Sequence, residues 1–541
     1  MEEKRLQILQ RILVLMFWFL GIVVVGCIAI YIYLSNRGPK TVEKEEVEVQ
    51  EGMADATTFL PDNCNLYAEM PDITFKDESG KEVKLSDFKG KTLVVTFWAS
   101  WCPDCHEQFE KIEAYKKLVD EQGNAEYILL DKLDHDKETM EQALQYLKDN
   151  HISIPTYFDD GLKAYDMLGM HNVPTTFFID ANGILRAWSG VQITDKSVFE
   201  AYLQNCIQGS EVVTQQFTQE YMTDEKGGIH SGYDKKSNTN TLKTDVLSES
   251  QGAVLEYAIL KEDKELFDTC LSYIENHMLM NGMVSWQVVN GEPSQVNALI
   301  DDFRIFESLV RANDLWGGYD EVINFCRKNV KTYGMKETNY IDFYDFEHKE
   351  AAKRFTLCYG DFRAMELLAY NDSDYQTAYD HAYEIVTGGI ISDEFPLYYS
   401  WYNYETSTYE TTDLNMSEAM VTLLHLAEID ALPQQTIDWL RKETFGDGVR
   451  ARYDISGKVV PGYGYESTAT YALIAMIGAE IGDDELTGKA LKKMEKMRVN
   501  DLDLQYNGAF GNKDGTGITS FDQIMPMLAY GYCEKKNNMI K

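Results

Sequence analysis

The sequence predicts a multidomain chain: an N-terminal transmembrane helix, an α/β sandwich and a C-terminal all-α (α/α)6 toroid. Three observations carry this. Ile12–Leu34 is an apolar run of 23 residues without a charge. From Cys64 to Gly209 apolar strands alternate with helical periods. Beyond that, helical periods run to the C-terminus. The boundaries that follow are 1–35 for an N-terminal tip and anchor, 36–63 for a tether, 64–209 for the α/β domain and 215–541 for the helical domain.

The length of 541 residues matches about three to four domains. Lys and Arg number 50 against 88 Asp and Glu, a net charge of −38. Such an acid excess repels phosphate backbones, so no nucleic-acid partner is expected. Nine cysteines are too few for a disulfide scaffold in a chain of this size.

A helix rises about 1.5 Å per residue, so Ile12–Leu34 is long enough to cross a hydrocarbon core of about 30 Å. Basic residues flank it on both sides (Lys4, Arg5 and Arg11; Arg37, Lys40 and Lys44), so charge alone does not orient it. A cleaved signal peptide fits poorly, since no small-residue cleavage site follows. Val24-Val25-Gly26-Cys27 resembles a lipobox, which leaves a lipoprotein anchored at Cys27 as the alternative. The acidic stretch after Ser35 has no periodicity and reads as the tether.

In the α/β domain, 93–98 and 127–130 read as buried strands, and 103–119, 137–150 and 196–206 as helices. Residues 175–179 and 184–188 read as strands joined at Asn182-Gly183, a hairpin signal. Trp101-Cys102-Pro103-Asp104-Cys105 falls between a strand and a helix. A cysteine at a helix N-terminus faces unpaired N–H groups and the positive end of the dipole, which favours its thiolate. Cys105, one turn on, is placed to resolve a mixed disulfide formed by Cys102. Pro174, read as cis, would lie opposite the thiols and present backbone to a substrate strand. A zinc site would need two more ligands at suitable spacing, and the sequence offers none nearby, so no metal or cofactor is expected.

Phe88-Lys-Gly-Lys91, Phe97-Trp-Ala-Ser-Trp-Cys102 and Val173-Pro-Thr-Thr176 resemble the thioredoxin-like family, in its membrane-anchored TlpA/ResA-like branch, over about Leu66 to Gln208. The resemblance implies an extracytoplasmic thiol–disulfide oxidoreductase with a protein redox partner, hence an N-terminus inside. Some members carry a carboxylate three residues past the second cysteine; Gln108 stands there, with Glu107 or Glu110 as candidate substitutes.

About eleven helical segments follow, paired at a coarse spacing. Hairpins closed around an axis are the first reading and an open solenoid the second. Glu249, after Ser248, reads locally as an acid favouring a helix start, as does Asp301-Asp302. Tyr359, Tyr398, Tyr399, Trp401, Tyr402, Tyr463 and Tyr465 are aromatics suited to stacking on sugar rings, though tyrosine at helical spacing also fills cores.

Ser248-Glu-Ser-Gln-Gly252, Trp286 and Asp302-Phe-Arg-Ile-Phe-Glu-Ser-Leu-Val-Arg-Ala312 up to Trp316 resemble the family 8 glycoside hydrolases. The resemblance implies an (α/α)6 barrel acting on β-glycans with inversion. That chemistry needs a carboxylic acid and a carboxylate roughly 6.5–9.5 Å apart. Glu249 takes the general-acid position. Ser417-Glu418-Ala419 is the best match to the later box, which makes Glu418 the candidate base, with Val421 where arginine is expected. The family's sugar-gripping aspartate falls on Ile300. Asp301 is offset by one position, about 100° around a helix, so Asp302 is left to position the sugar. Glu249 is expected buried and protonated, Glu418 exposed and ionised. The expected substrate contacts are Trp101 at the redox site and Gln251, Trp286, Asp302, Tyr359 and Trp401 in the helical domain. The alternative is a helical domain that binds a glycan or a protein without cleaving it.

Overall fold

The computed structural model describes residues 60–233 and 245–539. The apolar run 12–34, the lipobox cysteine Cys27 and nearly all of the tether lie outside the described residues. No helix among the described residues is long and apolar enough to cross a membrane.

The first domain is built on seven strands: β1 (Thr74–Lys76), β2 (Glu82–Lys84), β3 (Thr92–Trp98), β4 (Ala125–Asp131), β5 (Thr156–Phe158), β6 (Thr175–Ile179) and β7 (Leu185–Ser189). Their order is β2-β1-β5-β4-β3-β6-β7. The pairs β3–β4 and β4–β5 are parallel, and β6 and β7 run antiparallel at one edge. Central β3 is buried on both faces from Leu93 to Trp98, which explains its unbroken apolar run. Helices α1 (Pro103–Phe109), α2 (Ile112–Asp120), α3 (Met140–Asp149), α4 (Lys163–Leu168) and α5 (Lys196–Gln208) complete the domain. The single helix expected over 103–119 is two, separated at Glu110 and Lys111, which belong to neither. Strands β1, β2 and β5 escape the sequence reading because three residues are too few to show a period of two.

The second domain holds twelve helices among the described residues: α6 (Ser210–Tyr221), α7 (Ser248–Leu260), α8 (Lys264–Tyr273), α9 (Leu299–Trp316), α10 (Asp320–Tyr333), α11 (Phe362–Ala369), α12 (Ser373–Gly388), α13 (Met416–Ala427), α14 (Gln434–Phe445), α15 (Thr468–Glu480), α16 (Asp484–Glu495) and α17 (Ser520–Met539). The helices α7, α9, α11, α13, α15 and α17 each pack on the next, and α17 returns to α7, so the ring closes. That selects the toroid over the open solenoid. The ring helices are buried almost all round, as α7 and α15 show, whereas outer α10 buries only Asn329 and Val330. Gly478 lets α15 and α16 touch: a Cβ there would sit 2.9 Å from the Thr487 backbone nitrogen. The expectation of an all-α domain is corrected in one respect. Short ladders precede several ring helices, among them Asp245–Leu247 before α7, Leu414–Asn415 before α13 and Ile518–Thr519 before α17. Two- or three-residue ladders leave no periodic trace in the sequence.

The two domains share one continuous apolar core. At its centre Tyr67 stacks on Tyr530 with ring centroids 4.3 Å apart, under the Arg186 guanidinium at 4.6 Å. The Tyr67 hydroxyl donates to Glu211 at 3.1 Å and accepts the Ser210 N–H at 3.1 Å. Arg186 and Lys261 both reach Glu534, at 3.4 and 2.8 Å. Truncating so well-packed an aromatic costs about 3–5 kcal/mol. Tyr67→Ala is therefore expected to destabilise the full chain by that amount, read from urea unfolding followed by circular dichroism.

Candidate active sites

Cys102 caps the N-terminus of α1, and its sulfur accepts the Cys105 N–H at 3.3 Å. The Cys102 thiol is lowered to about 7, first by the hydrogen bond from the Cys105 side chain. Burial drives the Cys105 thiol far upward. The two sulfurs are thus strongly unequal, one ionisable near neutrality and one held as a thiol. The Val173–Pro174 bond is cis, and the Cys102 thiol lies 3.4 Å from the Val173 carbonyl oxygen. Trp101 beside it is 38% exposed, with the Lys137 ammonium 4.6 Å from its ring centroid. Gln108 is fully buried as scaffold: its amide donates to Thr176 at 3.2 Å and accepts from Ile193 N–H at 2.9 Å. Glu107 and Glu110 are exposed. Cys64 and Cys206 are buried and unpaired.

In the toroid, several acids gather at the N-terminal end of the ring. Glu249 lies in the first turn of α7, Asp301 in that of α9, Glu418 in that of α13 and Asp522 in that of α17. Burial and the Asp301 charge raise the Glu249 carboxyl to about 7, with Glu418 and Asp522 adding and Arg304 opposing. Asp301 is raised to about 6 by burial, opposed by the hydrogen bond from Ser248 Oγ at 2.5 Å and by Arg304. Glu418 is exposed at the surface yet walled by protein, so its carboxyl is raised, while Arg452 and Arg354 pull it down. Those arginines are braced. Arg354 donates to Asp342 at 2.7 Å and lies over Trp401 at 5.2 Å; Arg452 donates to Asp413 at 3.1 Å and lies over Tyr463 at 5.0 Å.

The structure brings Glu249, Glu418 and Tyr359 into one electrostatic neighbourhood, Tyr359 through Asp301 and Arg354. It separates others from it. Asp302 is buried, with its oxygens taken by Val284 N–H at 3.0 Å and Asn297 Nδ2 at 2.7 Å. The carboxylate that meets Ser248 is Asp301, expected to turn away. Gln251 is fully buried and spans to Gly227 O at 3.1 Å and Cys270 at 3.0 Å. Trp286 sits beside Ser248, whose N–H bonds its carbonyl at 3.1 Å, with an exposed ring. Sequence reasoning missed Arg304, Arg354 and Arg452. Arg304 had a signal, standing one helical turn after Asp301. The other two open short ladder strands, Arg354–Thr356 and Arg452–Tyr453, and have none.

A thioredoxin-type sheet with an unequal CxxC pair, joined to a closed helical ring, defines a redoxin-fold thiol–disulfide oxidoreductase with a toroid attached. The Redoxin family model matches residues 67–203. The thiol–disulfide oxidoreductase ResA of Bacillus thuringiensis subsp. konkukian is 30% identical over 137 residues, which is 25% of this chain and 75% of ResA. The lipoprotein candidate YdaJ of Bacillus subtilis is 31% identical over 290 residues, which is 52% of this chain and 78% of YdaJ. That match is longer than the whole redoxin region, so it takes in the helical domain. The chain belongs to the ResA family of thiol–disulfide oxidoreductases through its first domain, and is related to YdaJ beyond it. Among solved structures, an alpha-amylase from Clostridium perfringens superposes with a TM-score of 0.55 at 27% identity, covering 60% of this chain and 97% of that one.

Proposed function

We propose that this is a bifunctional extracytoplasmic protein held at the membrane by residues 12–34, with thiol–disulfide exchange in one domain and glycosidic-bond hydrolysis in the other. In the first reaction the Cys102 thiolate attacks a substrate disulfide. One substrate sulfur leaves as a thiolate and takes a proton. Cys105 then loses its proton, attacks Cys102, and releases the second substrate sulfur, so the protein is oxidised as the substrate is reduced. The cis Val173–Pro174 segment next to Cys102 supplies backbone for the substrate strand.

In the second reaction Glu249 protonates the leaving oxygen, Glu418 takes a proton from the attacking water, and the anomeric carbon inverts. Asp301, held by Ser248, takes the role of positioning the sugar. Asp302 is bound internally and supports α9 instead. Trp286, Tyr359 and Trp401 form the stacking surface. The observation that carries this reading is the different set of charges around the two carboxyls. Glu249 is held near 7 among acids, and Glu418 stands exposed between two arginines. Burial raises both carboxyls, but acids push Glu249 further up while arginines pull Glu418 back, and that difference assigns Glu249 as the acid.

The test incubates the full chain with cellulose, xylan, chitosan and mixed-linkage β-glucan, and with starch because of the amylase relative. New reducing ends on one polymer support hydrolysis. Retained binding without reducing ends on any of them supports the binding-only alternative.

A further inference from the structure

Beside the redox loop lies a buried acid pair that the thiol chemistry leaves unused. Asp131 closes β4 and pairs in register with Trp98, the last residue of β3. Strand alternation puts its side chain on the sheet face of Tyr127 and Leu129, the face that α1 and its cysteines cover. Asp131 is fully buried, and neither of its carboxyl oxygens meets a hydrogen-bond donor among the described residues. Glu138 is 1% exposed and accepts the Ser100 N–H on both oxygens, at 2.9 and 3.1 Å.

The two carboxyls face each other. A carboxylate offers no donor, so two ionised groups here would leave Asp131 orphaned and place like charges in contact. One proton between them supplies the missing donor. The Asp131 carboxyl is accordingly raised to about 9, first by burial and then by Glu138. The other charges facing the pair are acidic: Asp134 acts on both groups and Asp159 on Asp131. Ser100 stands two residues before Cys102. Its carbonyl meets His106 Nε2 of α1 at 2.6 Å, and the His106 ring stacks on Tyr146 of α3. Lys137, next to Glu138 in the chain, covers Trp101. The loop before the nucleophile is therefore gripped at its N–H by Glu138 and at its carbonyl by His106.

We propose that Asp131 and Glu138 share one proton, that this proton keeps Glu138 fastened beneath Ser100, and that its loss in alkaline solution frees the loop and alters the reactivity of Cys102. The change is one O–H ionisation. The Asp131 proton passes to hydroxide, and the two carboxylates separate by repulsion. Asp131 and Glu138 are positioning residues, since they act through Ser100.

The proposal rests on Cys102 being the attacking thiol, and the test separates the two. In the reduced full chain, alkylation of the Cys102-bearing peptide by iodoacetamide is followed by mass spectrometry across pH. The wild-type rate rises through about 7 and changes slope again near about 9. In Asp131→Asn the amide donates to Glu138 at every pH, so the first step stays and the second vanishes. The infrared band of a protonated carboxyl assigned to the pair vanishes with it. In Glu138→Gln the amide donates to Asp131, so the second step moves to lower pH. A single wild-type step, or a second step that persists unshifted in both variants, overturns the proposal. Failure of the Cys102 reading looks different: the first step at about 7 is then missing from this peptide.

Discussion

Cys102→Ser is expected to abolish disulfide reduction, and Cys105→Ser to stall it with the substrate covalently attached. Both follow from the inequality of the two sulfurs. Cys102 ends a loop at the N-terminus of α1, where the Cys105 backbone N–H and thiol both point at it. Those donors stabilise its thiolate and bring the thiol to about 7, so a large fraction is nucleophilic in neutral solution. Cys105 is buried among apolar side chains, which keeps it a thiol until a mixed disulfide forms one turn away. Without Cys102 no sulfur in the site is both ionised and reachable. Without Cys105 the first exchange completes and the second has no attacking group. The check is insulin reduction for Cys102→Ser, and a non-reducing gel with intact mass for Cys105→Ser. The rate in the wild-type protein falls as pH drops through about 7, because protonation removes the nucleophile. Full activity in Cys102→Ser would falsify the assignment.

The redox half was legible in the sequence because its signal is local. Strand β3, the cap position of Cys102 and the Val173-Pro174 pair each sit in a few consecutive residues. The Asp131–Glu138 contact was not, because it joins a strand end to the segment before α3. Neither residue is unusual until burial is known. The toroid was legible as paired helical periods, but closure of its ring depends on α17 meeting α7, far apart in sequence. The offset of Asp301 misled for a related reason. An angle of about 100° on an isolated helix says where a side chain points, but not where the next helix stands. In the folded ring Ser248 of α7 reaches Asp301, and it is Asp302 that turns towards Val284 and Asn297. The arginines flanking Glu418 lie on loop ladders, where no periodicity marks them.

If the toroid hydrolyses glycans as proposed, Glu249→Gln is expected to remove that hydrolysis and to make the toroid more resistant to alkali. A general acid contributes roughly 10²–10⁴ to the rate, so reducing-end release falls by that factor while glycan binding persists. The amide cannot deliver a proton, but it fills the same space beside Asp301. The proposed hydrolysis is expected to decline as pH rises through about 7, where Glu249 loses the proton it would donate. It is expected to decline on the acid side as well, as Glu418 is protonated at a pH above the ordinary glutamate value, because its carboxyl is raised. The stability effect has the same origin. A carboxyl raised in the fold binds its proton more tightly there than in the unfolded chain. The associated stability is full below the unfolded value near about 4.3 and is lost as pH climbs through the folded value of about 7. The loss runs at up to roughly 1.4 kcal/mol per pH unit between those limits. Asp301 and Asp302, raised to about 6 and about 7, act with the same sign. Glutamine has no proton to lose, so Glu249→Gln should unfold at higher denaturant than wild type at pH 8 and match it in mild acid. The measurement is a urea midpoint for the full chain at both pH values, alongside reducing-end assays. Equal midpoints at pH 8 would show that the Glu249 carboxyl is not held against its ionisation, and the acid role would fall with it. Unchanged disulfide reduction in the same variant confirms that Cys102 works independently of the ring.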